Sequence, residues 1–192
     1  MIGEKYGHFL DRPLSGLIKK TRLSPNTITL TGFVMTAAGA YVLSFHLFYG
    51  ALLVLFGSLF DILDGIVART NGKATRFGAY MDSVLDRYSD GFLFLALAVN
   101  LRESMAGVIL SLGTLLGAFL VSYARARAEG LGVECKVGIM ERPERIILLS
   151  AGAISGLIIP ALWIMFILTH FTVLQRFFYT KKALSTPPDL PL

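Results

Sequence analysis

The stretch "LFDILDGIVARTNGKATRFGAYMDSVLDRYSD", residues 59–90, sets Asp61, Asp64, Asp82, Asp86 and Asp90 into apolar surroundings. Asp61 and Asp64 are three residues apart. Asp82 and Asp86 are four apart, and Asp90 continues their row, so each group occupies one helix face. Between them "NGKATRFG", with its Asn-Gly pair, reads as a loop. The pattern predicts two antiparallel neighbouring helices. Asp64 stands about six residues before the end of the first, roughly 9 Å of helix, and Asp82 a similar distance into the second. The four carboxylates of Asp61, Asp64, Asp82 and Asp86 can therefore meet at one depth.

The rest of the chain makes that depth a membrane depth. Only 16% of its 192 residues are charged, 54% are hydrophobic, and the mean hydropathy is +0.64. No charge occurs between Arg22 and Asp61, between Glu103 and Arg125, or between Arg145 and Arg176. A crossing needs about 20 apolar residues, so the first and third gaps each hold two crossings and the second holds one. The fold expected is all-α, a six-helix transmembrane bundle. Its spans begin at Ser24, with Pro25 as first helical residue, and run over about 51–70, 78–100 and 105–129, then from Pro143 to a turn at Gly156 and Pro160, and on to Tyr179. "HLFYG", residues 46–50, is expected as the first outer turn. Residues 1–22, with Tyr6, Phe9, Leu10, Leu14, Leu17 and Ile18 at helical spacing, suit an amphipathic helix lying in the interface. Residues 23–180 are expected to form one six-span membrane domain that carries the carboxylate site, and the Pro-rich 181–192 reads as a disordered tail.

Six spans put both termini on one side. That side collects all of the 18 Lys and Arg residues except Arg87 and Arg102, which makes it cytoplasmic in a plasma-membrane protein. The N-terminus lacks the apolar core of a signal peptide. Cys135 is the only cysteine, so neither an internal disulfide nor a cysteine metal site is expected. The net charge of +5 suits anionic headgroups or an anionic substrate. Nucleic acid is excluded as a partner, because the basic residues are divided among membrane spans.

Four clustered anions in a low dielectric require cations or protons. Carboxylate oxygens suit hard divalent ions, and two such ions would neutralise the four charges and serve an in-line phosphoryl displacement. Gly65 and Ala68 leave room for a ligand beside the second span, and Arg69 is placed to bind a phosphate. The N-terminus of the first span offers its positive dipole end to the same place. A cation transporter or channel is the alternative of a different class, since intramembrane carboxylates also mark ion paths; Arg69 opposes it by repelling a passing cation. An inactive scaffold is a third reading. No internal repeat is evident, which argues against transporters built from inverted halves.

Asp61, Asp64, Gly65, Ala68, Arg69, Gly78, Asp82 and Asp86 fill D-x-x-D-G-x-x-A-R, eight residues, G-x-x-x-D-x-x-x-D. This pattern resembles the CDP-alcohol phosphotransferase family. The resemblance implies transfer of a phosphatidyl-type group from a CDP-linked lipid to an alcohol, with release of CMP. It implies a two-metal centre on Asp61, Asp64, Asp82 and Asp86, with Mg²⁺ expected and Mn²⁺ as the alternative, and Asp86 as general base. Nucleotide and CDP-lipid contacts are implied for Ser24, Pro25, Asn26, Thr27, Gly65, Ala68, Arg69, Thr75 and Gly78. A homodimer with its site open to the cytoplasm is also implied.

A second constellation addresses the alcohol. "SYARARAE", "ERPER" and "QR" bring Ser122, Arg125, Arg127, Arg145 and Arg176 to the same predicted face, and convergent arginines suit a phosphate. The pattern is similar to family members that use inositol phosphate, with ester-linked CDP-diacylglycerol or ether-linked CDP-archaeol as donor; Arg125 stands where the bacterial members are expected to carry Lys. Glycerol 3-phosphate is the runner-up acceptor. Arg142, Lys181 and Lys182 are read as charges that fix orientation. His46, Arg87 and Asp90 receive no role, and for Asp90 an ion pair with Arg87 or with another helix is expected.

Overall fold

The computed structural model describes residues 24–70 and 75–185. Among them are six helices and no strand: α1 (Pro25–Leu43), α2 (Leu47–Thr70), α3 (Arg76–Asn100), α4 (Met105–Gly130), α5 (Arg142–Ser155) and α6 (Ile158–Ser185). Local chemistry sets their starts. Ser24 Oγ accepts from the Thr27 amide at 3.2 Å, Thr75 Oγ1 from the Gly78 amide at 2.9 Å, and Ser104 Oγ from the Gly107 amide at 3.2 Å, each satisfying an amide that a helix start leaves unpaired. Gly156 ends α5 in the left-handed region, φ +75°, which glycine adopts without a Cβ penalty.

Small residues weld the first hairpin. A Cβ on Gly57 would fall 2.7 Å from Thr36 Oγ1 and 3.0 Å from Thr36 N, and one on Gly39 would fall 2.9 Å from Val54 N. Close backbone approach of this kind replaces the hydrophobic drive that helices lack in lipid. Because Gly50 lies directly on the Leu43 backbone, α2 begins at Leu47 and the turn is confined to Ser44–His46. The expected outer turn "HLFYG" is therefore mostly helix.

α1 lies against α2 and α3, α2 against α5, α5 against α6, α6 against α4, and α4 against α3. The six helices thus close a ring in the order α1, α2, α5, α6, α4, α3, around a core of Leu43, Val54, Leu93, Phe94, Leu97, Leu149 and Leu162. This corrects one expectation. α2 and α3 follow each other in sequence but do not pack along their lengths; each leans on α1, and a seam stays open between them. Their facing carboxylates are the physical reason, since like charges repel and need room for counter-charge.

Among the described residues four helices are long and apolar enough to cross a membrane: Pro25–Leu43, Leu47–Val67, Met105–Glu129 and Ile158–Ser185. Their outer faces keep large apolar side chains exposed, among them Val34, Leu52, Phe56, Ile109, Leu116, Ile164 and Phe171, as a lipid-facing surface requires. α3 has the length but carries Asp82, Asp86, Arg87 and Asp90. α5, expected as a fifth full span, has only 14 residues, roughly 21 Å at 1.5 Å per residue, which is shorter than the hydrocarbon core of about 30 Å. α6 continues past residue 180 to Ser185, so the first part of the expected tail is helical. The expected interfacial helix at 1–22 and the remainder of the tail lie outside the described residues, as do residues 71–74 of the loop.

Candidate active site

The seam between α2 and α3 is where the carboxylates meet. Asp61, Asp82 and Asp86 line one pocket of about 290 Å³, whose other walls are Leu55, Ser58, Arg142, Pro143, Ile146 and Ile147. Asp64 is one helical turn beyond Asp61 and is 7% exposed. Gly32 of α1 makes space for this face: a Cβ there would fall 3.0 Å from Asp61 Oδ1 and 2.8 Å from Phe60 Cβ. Asn26 reaches the start of α3, since a Cβ on Gly78 would lie 3.2 Å from Asn26 Oδ1. The first-turn residues of α1 and the Thr75–Gly78 cap, separate in sequence, are therefore neighbours. Gly65 lies in α2 next to Asp64. The side chains of Ala68 and Arg69 lie outside the described residues.

The group that bridges the seam is one the sequence assigned elsewhere. Arg142, read as an orientation charge, inserts its guanidinium among the aspartates. Its Nη1 is 2.7 Å from Asp61 Oδ2 and 2.7 Å from Asp86 Oδ1, and its Nε is 3.9 Å from Asp90 Oδ1. The reading fails because orientation charges and site charges occupy the same helix ends. The signal that could have separated them is the "ERPER" run, which sets two arginines in the first turn of α5, where the helix dipole disfavours cations unless carboxylates face them.

Asp90 pairs with another helix. Its Oδ2 accepts from Arg145 Nη2 at 2.7 Å, with both side chains buried, and Arg145 Nη1 donates to the Met140 carbonyl at 3.3 Å. Arg87 stays local, donating to the Ser83 carbonyl at 2.7 Å.

A second pocket, of about 190 Å³, joins the first. Its walls include Ser122, Arg125, Glu141, Arg145 and Arg176, and it shares Asp86, Arg142 and Pro143 with its neighbour. The structure thus brings together Ser122, Arg125, Arg145 and Arg176. It does not bring Arg127, which is exposed and not among the lining residues; two positions beyond Arg125 is the far side of a helix. Arg145 and Arg176 also differ from the open phosphate ligands expected. Arg176 donates to the Val137 and Val121 carbonyls at 2.8 and 2.6 Å and to Glu141 Oε1 at 2.8 Å. With Thr172, whose Oγ1 accepts from the Met140 amide at 3.1 Å, it pins the α4–α5 loop to α6. Glu141, assigned no role from the sequence, also lies 3.8 Å from Arg125 Nη1 and so ties the pocket's cations together.

Among the described residues no three His, Cys, Asp or Glu side chains form a ready-made metal cluster. Arg142 occupies the space between the carboxylates instead. The donor set still fits divalent ions. It consists of hard oxygens, Asp64 Oδ2 is buried without a hydrogen-bond partner, and Asp61 and Asp86 already converge on a positive charge.

Comparisons with known proteins point the same way. The family model described as CDP-alcohol phosphatidyltransferase matches residues 22–180. The archaetidylinositol phosphate synthase of Methanothermobacter thermautotrophicus is 39% identical over 180 residues, covering 90% of this chain and 91% of that one. The crystal structure of Mycobacterium tuberculosis phosphatidylinositol phosphate synthase with CDP-DAG bound superposes with a TM-score of 0.81 at 31% identity, covering 95% and 98% of the two chains. The same protein in complex with manganese and citrate gives a TM-score of 0.80 at 32% identity, covering 95% of this chain and 92% of that one.

Proposed function

The chain belongs to the CDP-alcohol phosphatidyltransferase family, enzymes that transfer the lipid-bearing group of a CDP-linked lipid to an alcohol, and on that premise we propose that its acceptor is inositol phosphate and its by-product CMP. The donor is CDP-diacylglycerol or CDP-archaeol. Membership in an enzyme family sets aside the cation-transporter reading.

The observation that carries the acceptor assignment is that Asp86 lines both pockets. An alcohol whose phosphate is held beside Ser122 and Arg125 presents its hydroxyl to Asp86 from one side. The donor approaches from the other pocket, where Leu55, Ile146 and Ile147 continue the polar site as an apolar wall. An unphosphorylated alcohol would leave the arginine-lined pocket without a counter-charge. The inositol-phosphate names of the relatives support this choice over glycerol 3-phosphate.

Asp86 accepts the proton of the attacking hydroxyl. The oxygen attacks the lipid-side phosphorus, and the bond to CMP breaks. Ser24, Pro25, Asn26 and Thr27, at the positive end of α1, with Thr75 and Gly78 beside them, bind the nucleotide phosphates; Gly65, Ala68 and Arg69 complete that site. Asp61, Asp64, Asp82 and Asp86 would hold two divalent ions, Mg²⁺ or Mn²⁺, which when bound supply charge neutralisation at the diphosphate. Arg145 and Arg176 shape the acceptor pocket from their protein-bound positions. The membrane reading extends accordingly: a multi-pass plasma-membrane homodimer with six membrane-embedded helices, both termini and the site facing the cytoplasm, supported by the Lys and Arg at the corresponding helix ends.

CMP release from CDP-diacylglycerol and CDP-archaeol, measured with inositol phosphate, glycerol 3-phosphate and inositol in turn, tests the proposal. Metal-dependent release with inositol phosphate supports it. Release with glycerol 3-phosphate alone, or equal release with unphosphorylated inositol, refutes it.

A further inference from the structure

Arg142 occupies ground that the proposed metal centre needs. One nitrogen, Nη1, lies 2.7 Å from an oxygen of Asp61 and 2.7 Å from an oxygen of Asp86. A small divalent ion on the same carboxylates takes their oxygens at about 2.0–2.1 Å. A guanidinium and such an ion cannot share that space, because like charges a few ångströms apart repel strongly away from bulk water. Arg142 is therefore a competitor for the site as well as its neighbour.

The same side chain borders the second pocket. There, Arg145 and Arg176 are already committed to Asp90, Glu141 and main-chain carbonyls. Arg142 Nε is itself buried without a hydrogen-bond partner, so its present seat satisfies only part of its donor fork. Because Arg142 lines both pockets, a change of side-chain rotamer, once a metal ion neutralises the carboxylates in its place, would carry the guanidinium towards Ser122 and Arg125.

We propose that Arg142 is an exchangeable counter-ion: it pairs with Asp61 and Asp86 in the metal-free enzyme, and metal binding releases its guanidinium into the neighbouring pocket, where it binds the acceptor's phosphate. The inference rests on the metal centre and acceptor pocket proposed above. It makes Arg142 a substrate-binding residue through which the two sites are coupled. Metal strengthens phosphate binding, and by linkage phosphate strengthens metal binding to the same extent.

Mn²⁺ binding to the full chain in detergent, read from the electron paramagnetic resonance of free Mn²⁺, tests this without turnover. Arg142→Gln removes the competing charge and is expected to bind Mn²⁺ roughly tenfold tighter than the wild type, within the usual range of coupling between sites. Inorganic phosphate is expected to tighten Mn²⁺ binding in the wild type and leave the variant unchanged. Equal or weaker Mn²⁺ binding by a variant that elutes like the wild type overturns the inference while leaving the metal centre intact. Absence of Mn²⁺ binding by both proteins overturns the metal centre, and the inference with it. Should Arg142→Gln fail to fold, Arg142→Lys serves: its single ammonium holds two carboxylates less well, so it is expected to bind Mn²⁺ several-fold tighter than the wild type, and a value equal to or weaker than wild type overturns the exchange.

Discussion

Asp90 Oδ2 accepts a 2.7 Å hydrogen bond from Arg145 Nη2, and this buried pair fastens α3 to the first turn of α5 across the ring. Removing one partner leaves an uncompensated buried charge, which costs about 3–5 kcal/mol. Asp90→Ala and Arg145→Met are each expected to unfold at markedly lower temperature in detergent. The double variant is expected to recover much of the loss, because no lone charge remains. Additive losses in the double variant would show that the pair does not act as a unit.

Asp86 stands where the two pockets meet. Asp86→Asn keeps the side chain's shape but removes the proton acceptor. Turnover is expected to fall by at least about 10²–10⁴-fold, the usual contribution of a positioned base, with the fold retained because Asp61 still pairs with Arg142. CMP release together with thermal unfolding checks both halves. A variant that turns over normally removes Asp86 from the chemistry.

Gly32 and Gly57 both lie at helix contacts, but only Gly32 borders a carboxylate. Alanine at either site overpacks the hairpin at a cost of about 1–3 kcal/mol. Gly32→Ala also presses on Asp61 Oδ1 and is expected to weaken Mn²⁺ binding, whereas Gly57→Ala, at comparable loss of stability, leaves it near the wild-type value. Mn²⁺ titration of both proteins makes the comparison.

Arg125 and Arg127 are two residues apart and are expected to behave differently. Loss of a charge-assisted hydrogen bond costs about 1.5–3 kcal/mol, or roughly 10–100-fold in affinity. Arg125→Gln is therefore expected to raise the KM for inositol phosphate by that factor. Arg127→Gln, exposed and outside the pocket, leaves it near the wild-type value. Equal effects from the two would move the acceptor site elsewhere.

The aspartates, the helix start at Ser24 and the six-helix order were legible because they depend on neighbours in sequence; the start of α3 at Thr75 was not, since residues 71–78 read as a loop and the third span was expected from about 78. Helical spacing puts Asp82 and Asp86 on one face whatever surrounds them, and a Ser or Thr cap acts within its own turn. What escaped depends on distant partners. Arg142 and Arg127 have the same local character, basic residues at helix ends, and only packing sends the first into the carboxylates and leaves the second in solvent. Glu141 gave no warning because its role is to hold Arg176 and Arg125 from two other helices. Asp90 could be placed on the right face but not matched to Arg145, since a helical period fixes direction and not the partner. The seam was hidden for the same reason: a short loop implies contact, and here the two helices that the loop joins each pack on α1 instead.

That seam has a consequence for how a greasy reactant reaches a polar reaction. On the proposed reading, Leu55, Ile146 and Ile147, which line the carboxylate pocket, would keep the tails of a CDP-linked lipid against an apolar wall while only its head reached the aspartates. Each methylene kept out of water saves about 0.8 kcal/mol. An enclosed barrel of helices would forfeit that saving for every methylene it drew through water, and would have to recover the loss on release. An apolar wall beside the polar site would spare the enzyme that toll on both entry and exit.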